Sequence, residues 1–121
     1  MSQRILVIED QEDNRRILRD LLTSAGYEVI EAVTGEEGVT SAETCLPDLI
    51  LMDIQLPGLD GYEATRRIKA NPTLRHIPLI AVTSYALSGD DVKALEAGCD
   101  GYVTKPFSPR ALLAKIREYL P

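Results

Sequence analysis

Four short strand-like runs in this sequence end in residues that can do chemistry. Glu9-Asp10 follows Ile5 to Ile8, Asp53 follows Leu49 to Met52, Thr83 follows Leu79 to Val82, and Lys105 follows Tyr102 to Thr104. A carboxylate can attack phosphorus and form an aspartyl phosphate. It needs no base, because it is already ionised. Three carboxylates brought together repel one another unless something neutralises them. Lys105 is one neutraliser. The other is a hard divalent cation, Mg²⁺ or alternatively Mn²⁺, which would take oxygen ligands from Asp10, Asp53 and a backbone carbonyl and keep several waters. Such an ion would bridge the attacking carboxylate and a transferring phosphoryl group. Lys105 would pair with one phosphoryl oxygen, and Thr83 would hydrogen-bond another.

Other chemistries lack their residues. A lone His76 in Arg-His-Ile-Pro gives neither a His-based metal site nor a Ser-His-Asp triad. Cys45 and Cys99 have no Cys-x-x-Cys spacing and read as two small thiols in a reducing cytosol. The net charge of −6 disfavours nucleic acid, whose phosphates call for clustered Lys and Arg. No apolar run approaches the roughly 18–20 residues of a membrane span. The start, with Glu9-Asp10 close behind Ile5 to Ile8, is too short and too acidic for a signal peptide. A cytoplasmic protein with no membrane and no nucleic-acid partner is therefore expected.

The elements that must position these residues follow a βα rhythm. Ile5 to Ile8, Leu49 to Met52 and Leu79 to Val82 lack polar alternation, as parallel strands covered on both faces do. Tyr27 to Ala32, broken by Glu28 and Glu31, and Tyr102 to Thr104 are more polar and suit sheet edges. Between the strands lie helical stripes. Ile17, Leu18, Leu21, Leu22 and Ala25 form the first, closed by Gly26. Thr34 with Glu37 opens the second, continued by Val39, Ala42 and Leu46. Asp60 with Glu63 opens the third, before Ala64 and Ile68, and Asn71-Pro72 stops it. Val92, Leu95 and Ala97 carry the fourth to Gly98. Ser108-Pro109 opens the last, with Leu112, Leu113, Ile116 and Leu120 on its core face. The prediction is a doubly wound α/β three-layer sandwich, flavodoxin-like, with a parallel five-stranded sheet in the order 2-1-3-4-5. Its switch point lies between strands 1 and 3, where Glu9, Asp10 and Asp53 would converge.

At these residues the sequence resembles the CheY-like receiver domain of two-component response regulators. The resemblance rests on Ile-Leu-Val-Ile-Glu-Asp at 5–10, on Pro-Asp-Leu-Ile-Leu-Met-Asp-Ile-Gln-Leu-Pro-Gly-Leu-Asp-Gly at 47–61, on Ile-Pro-Leu-Ile-Ala-Val-Thr-Ser at 77–84, and on Gly-Cys-Asp-Gly-Tyr-Val-Thr-Lys-Pro-Phe at 98–107. It covers essentially the whole chain. It implies that Asp53 is the phosphoacceptor and that Glu9 and Asp10 are the acid pair. Asp10 would be the direct Mg²⁺ ligand, with Glu9 acting through water and the Gln55 backbone carbonyl as a further ligand. Thr83 and Lys105 would contact the phosphoryl group, and the Lys105-Pro106 peptide would be cis. Thr83 and Tyr102 would form the switch, reshaping the surface of the fourth helix, fifth strand and fifth helix. Gln55 and Tyr85 flank the site where phosphate lifetime is tuned, and Ser84 stands where the family often has Ala.

Residues 1–121 would then be a single receiver domain with no output domain. It would take phosphate from a sensor histidine kinase or a histidine phosphotransfer protein and act on a downstream protein target, as a monomer or weak dimer. It would be a phosphoprotein of bacterial signalling, not an enzyme beyond its own phosphorylation and dephosphorylation. The segments 47–57 and 81–90 are most similar to stand-alone DivK-like regulators, which bind kinases and steer cell division or polarity. A receiver module of a hybrid kinase is the alternative. An aspartate-nucleophile phosphatase of the haloacid dehalogenase type would need an acid where Gln55 stands. A flavin carrier would need a hydroxyl- and Gly-rich loop where Glu9 to Asp13 lies. Arg15, Arg16 and Arg19 on the first helix read as a solvated face or as a greeting for an acidic partner. Ile17 fits either the core stripe or a docking surface.

Overall fold

The apolar runs pair as expected for strands buried on both sides. In the computed structural model, which describes residues 2–56, 58–83 and 90–120, strands and helices alternate without exception. They are β1 (Arg4–Ile8), α1 (Glu12–Ser24), β2 (Glu28–Ala32), α2 (Gly35–Cys45), β3 (Leu49–Asp53), α3 (Gly61–Ala70), β4 (Leu79–Thr83), α4 (Asp90–Ala97), β5 (Gly101–Thr104) and α5 (Pro109–Tyr119). All strand pairs are parallel, and the order is β2-β1-β3-β4-β5. Every residue of β3 and β4 is buried, whereas the edge strands β2 and β5 are partly exposed.

Strand alternation divides the core in two. Leu6, Ile8, Ile50, Met52, Leu79 and Ala81 face one side, with Ala42 of α2, Ala64 and Ile68 of α3 and Ala94 of α4. Ile5, Val7, Leu49, Leu51, Ile80 and Val103 face the other, with Leu18 and Leu22 of α1 and Leu112 and Ile116 of α5. Among the described residues, side-chain caps begin α2, α3 and α5. Thr34 accepts from the Glu37 N–H (3.1 Å), Asp60 from Glu63 (2.8 Å) and Ser108 from Ala111 (3.0 Å). Each such cap contributes about 1 kcal/mol. The two cysteines are free, and burial pushes the Cys99 thiol up to about 11.

Three helix stripes differ from the sequence reading. On α4, Val92 and Leu95 are 53% and 50% exposed, and the buried residues are Ala94 and Ala97. Residues two apart on a helix lie on nearly opposite faces, so the small residues took the core and the large ones face outward. On α1 the seam is Leu18 and Leu22, and Ile17 is 59% exposed. Leu46 does not extend the α2 stripe. It sits beyond the helix in the left-handed region (φ 48°), where Arg4 Nη2 donates to the last carbonyls, Cys45 O and Leu46 O.

The register decides what meets at the carboxyl ends. Ile8 pairs with Met52, which sets Glu9 level with Asp53; Asp53 pairs with Val82, and Thr83 with Thr104. Gly61 lets α3 begin hard against this edge. Its N–H donates to Ile54 O at 3.2 Å, and a Cβ there would overlap Asp53 O and lie 2.6 Å from Ile54 Cα. Backbone atoms cannot step aside as a side chain can. Gly61→Ala is therefore expected to lower stability by about 1–3 kcal/mol, read from urea unfolding. An unchanged midpoint would contradict this packing.

Candidate functional site

The β1–α1 turn carries the acid pair. Glu9 is only 2% exposed, an unusual position for a carboxylate. Its Oε1 accepts from the Gln11 N–H at 3.1 Å and from Asn14 Nδ2 at 3.3 Å, while its Oε2 lies 3.6 Å from Lys105 Nζ. Asp53 ends β3 and is 5% exposed. Its Oδ1 accepts from the Gln55 N–H at 3.0 Å, and its Oδ2 lies 3.6 Å from the same Lys105 Nζ. Glu9, Asp10 and Asp53 each place a carboxylate oxygen within 4.8 Å of the others.

One lysine therefore serves two buried carboxylates, with a third beside them. The charge does not balance, and Asp53 registers it. Burial, and then the neighbouring Glu9, raise its carboxyl from 3.8 to about 7, against the opposing pull of the Gln55 N–H and Lys105. An all-oxygen donor set with surplus negative charge suits a hard divalent cation. The residues present thus fit Mg²⁺ on their own chemistry.

Thr83 ends β4 with its Oγ1 fully buried and, among the described residues, without a hydrogen-bond partner. Such orphaned groups are costly and rare. This one follows Val82, the pairing partner of Asp53. Its carbonyl accepts from Lys105 N at 2.6 Å, which ties β4 to the lysine. The Lys105-Pro106 peptide is cis. Tyr102 is half-buried and packs on the same core as Ala81, its pairing partner. Thr83 lies two residues beyond Ala81, so alternation puts Thr83 and Tyr102 on one face of the sheet.

The structure thus gathers Glu9, Asp10, Asp53, Thr83 and Lys105 at one edge, with Gln55 beside them. Ser84 and Tyr85 lie outside the described residues. The arginines of α1 are not a free basic face. Arg15 and Arg19 both pair with Glu31, at 3.5 and 2.9 Å, and Arg16 with Asp13 at 3.3 Å. Sequence reasoning missed Asn14 and the Arg15–Glu31 pair. The available signal was Glu31 itself, an acid between Ile30 and Ala32 in the edge strand.

A doubly wound sheet with an acid pair, an aspartate, a threonine and a lysine at the switch point defines a receiver-type module. Residues 5–117 match the family model described as the response regulator receiver domain. The polar-differentiation response regulators DivK of Brucella ovis and Brucella anthropi are each 42% identical over 120 residues, covering 99% of this chain and 98% of theirs. The receiver domain of the sensor histidine kinase PA1611 of Pseudomonas aeruginosa superposes with a TM-score of 0.94 at 41% identity, covering 99% of this chain and 98% of that one. That structure carries a magnesium ion coordinated in its active-site cleft. The chemotaxis protein CheY4 of Vibrio cholerae shares the fold, with a TM-score of 0.92 at 24% identity over 98% of this chain and 99% of its own. The chain belongs to the receiver domain family of two-component response regulators. Among the described residues no helix is long and apolar enough to cross a membrane.

The raised Asp53 carboxyl has a consequence for stability. Between its ordinary value of 3.8 and about 7, the folded protein holds a proton that the unfolded chain has released. Stability of the metal-free protein therefore falls as pH rises through that window. Asp53→Asn removes this cost. In EDTA the variant is expected to unfold at higher denaturant than wild type at pH 8 and to lose less stability between pH 5 and pH 8. Parallel pH profiles for the two proteins would contradict the assignment.

Proposed function

We propose that this chain is a phosphorylatable, DivK-like signalling switch in which Asp53 accepts a phosphoryl group from a protein histidine. The observation that carries this reading is Asp53 itself: a buried carboxylate between an acid pair and Lys105, with the unpartnered Thr83 hydroxyl at the next strand end. In the transfer, an Asp53 oxygen forms the new bond to phosphorus as the N–P bond of phosphohistidine breaks. The imidazole nitrogen leaves with the electron pair. Asp53 requires no base, because the attacking form is the carboxylate. Asp10, Asp53 and the Gln55 carbonyl would hold Mg²⁺ directly, with Glu9 acting through water and Mn²⁺ as a substitute. When bound, the ion supplies positive charge to the carboxylate and the transferring oxygens. Lys105 pairs with one phosphoryl oxygen, and the Thr83 hydroxyl donates a hydrogen bond to another.

The switch follows from the shared sheet face. As Thr83 turns toward the phosphoryl group it vacates space on the Tyr102 side, and Tyr102 rotates inward. The α4-β5-α5 surface, where Val92 and Leu95 are exposed, then changes shape. The histidine-bearing partner has a different landing place. Ile17, Leu18, Pro106 and Phe107 line an apolar groove of about 480 Å³ that opens beside Glu9 and Lys105. A helix lying there would bring its phosphohistidine to Asp53. The partner is a sensor kinase or a histidine phosphotransfer protein. The similarity to the PA1611 receiver keeps a hybrid-kinase module as the second reading.

Acetyl phosphate with Mg²⁺ is expected to add one phosphoryl group, detected by intact mass, and Asp53→Asn to remove it. An adduct that persists in Asp53→Asn would overturn the site assignment. Ile17→Glu is expected to slow transfer from a phosphorylated kinase by about 10-fold while leaving the acetyl phosphate reaction unchanged. Equal slowing of both donors would contradict a docking role for the groove.

A further inference from the structure

The Arg15 guanidinium spans the metal-binding turn and the sheet edge. Arg15 lies in the first turns of α1, and helical side chains lean back toward the helix N-terminus. Its Nη1 donates to Glu9 O and to Asp10 O, both at 3.1 Å. Its Nε lies 3.5 Å from Glu31 Oε1, on the edge strand β2. The contacts are sheltered, with the Arg15 side chain 16% exposed and that of Glu31 28%. Glu31 is held in turn by Arg19, whose Nη1 donates to both carboxylate oxygens at 3.1 and 2.9 Å.

We infer that Arg15, braced by Glu31, is a positioning residue that holds the Glu9 and Asp10 peptides so that their carboxylates face Asp53. The need for such a clamp is electrostatic. Three carboxylates within reach of one another push the short turn that carries two of them outward. Two charge-assisted hydrogen bonds to consecutive carbonyls fix both peptide planes against that push. A lysine in the same place keeps the charge but lacks the planar fork that meets both carbonyls and Glu31 together. The inference rests on the Mg²⁺ reading of the site and extends it to residues that touch no ligand.

The sign of one effect separates positioning from simple charge. Removing a cation near a Mg²⁺ site tightens binding if charge alone matters. Loosening the turn weakens it. Mg²⁺ titrations followed by amide NMR are expected to show Arg15→Ala binding about 10-fold more weakly than wild type, the usual scale for residues that orient metal ligands. Arg15→Lys is expected to be weakened as well, and Arg16→Ala, whose guanidinium pairs with exposed Asp13 rather than with Glu31 or the turn carbonyls, unchanged. In EDTA, the Gln11 amide that donates to Glu9 is expected to exchange with solvent faster in Arg15→Ala, below the denaturation midpoint of both proteins. Arg15→Ala binding Mg²⁺ as tightly as wild type or more tightly, or an unchanged Gln11 exchange rate, would overturn the inference. A wild-type protein without saturable Mg²⁺ shifts at Asp10 and Asp53 would overturn the metal reading and the inference with it.

Discussion

Everything at the working edge of this protein answers to one electrostatic constraint. Glu9 and Asp53 are buried, Asp10 stands beside them, and Lys105 is 3.6 Å from a carboxylate oxygen of each buried acid. A single cation cannot balance that much negative charge in a medium of low dielectric. The site is therefore unsatisfied by design of its residues, and burial, then the neighbouring Glu9, raise the Asp53 carboxyl. Mg²⁺ would relieve it. A phosphoryl group on Asp53 would then convert the remaining tension into contacts with Lys105 and Thr83. An apolar replacement of the cluster would make a steadier fold.

The scaffold's features make sense as supports for that cluster. Buried parallel strands fix the heights of Glu9, Asp53, Thr83 and Lys105 through their register. Gly61 lets α3 close on the backbone at the end of β3. Asn14 and the Gln11 N–H hold one oxygen of Glu9, leaving the other toward Lys105 and Asp53. Arg15 and Glu31 tie the same turn to the opposite sheet edge. Two apolar surfaces lie outside this framework. The groove at Ile17 and Phe107 opens beside Glu9 and Lys105, whereas Val92 and Leu95 are exposed on α4.

Much of this was legible in the residues. Uninterrupted apolar runs identify central strands, and polar ones identify edges, which together with the family resemblance favours the order that the sheet has. The order then brings the ends of β1 and β3 side by side. Apolar spacing on the helices was less informative. Val92 and Leu95 share a stripe as well spaced as any core face, yet Ala94 and Ala97 take the buried positions. Nothing local says which of two stripes wins. The Arg15 clamp was hidden for a related reason. Hydrogen bonds to backbone carbonyls leave no pattern in sequence, and Glu31 could be recognised as a partner only once β2 was placed beside β1.

The central claim is that Glu9, Asp10 and Asp53 form a charge cluster whose frustration Mg²⁺ resolves. The most direct measurement is a pH titration of the Asp53 carboxyl carbon by NMR, with and without Mg²⁺. The account predicts a midpoint of about 7 in the metal-free protein, falling well below that when Mg²⁺ is present. A midpoint in the ordinary aspartate range that ignores Mg²⁺ would contradict it.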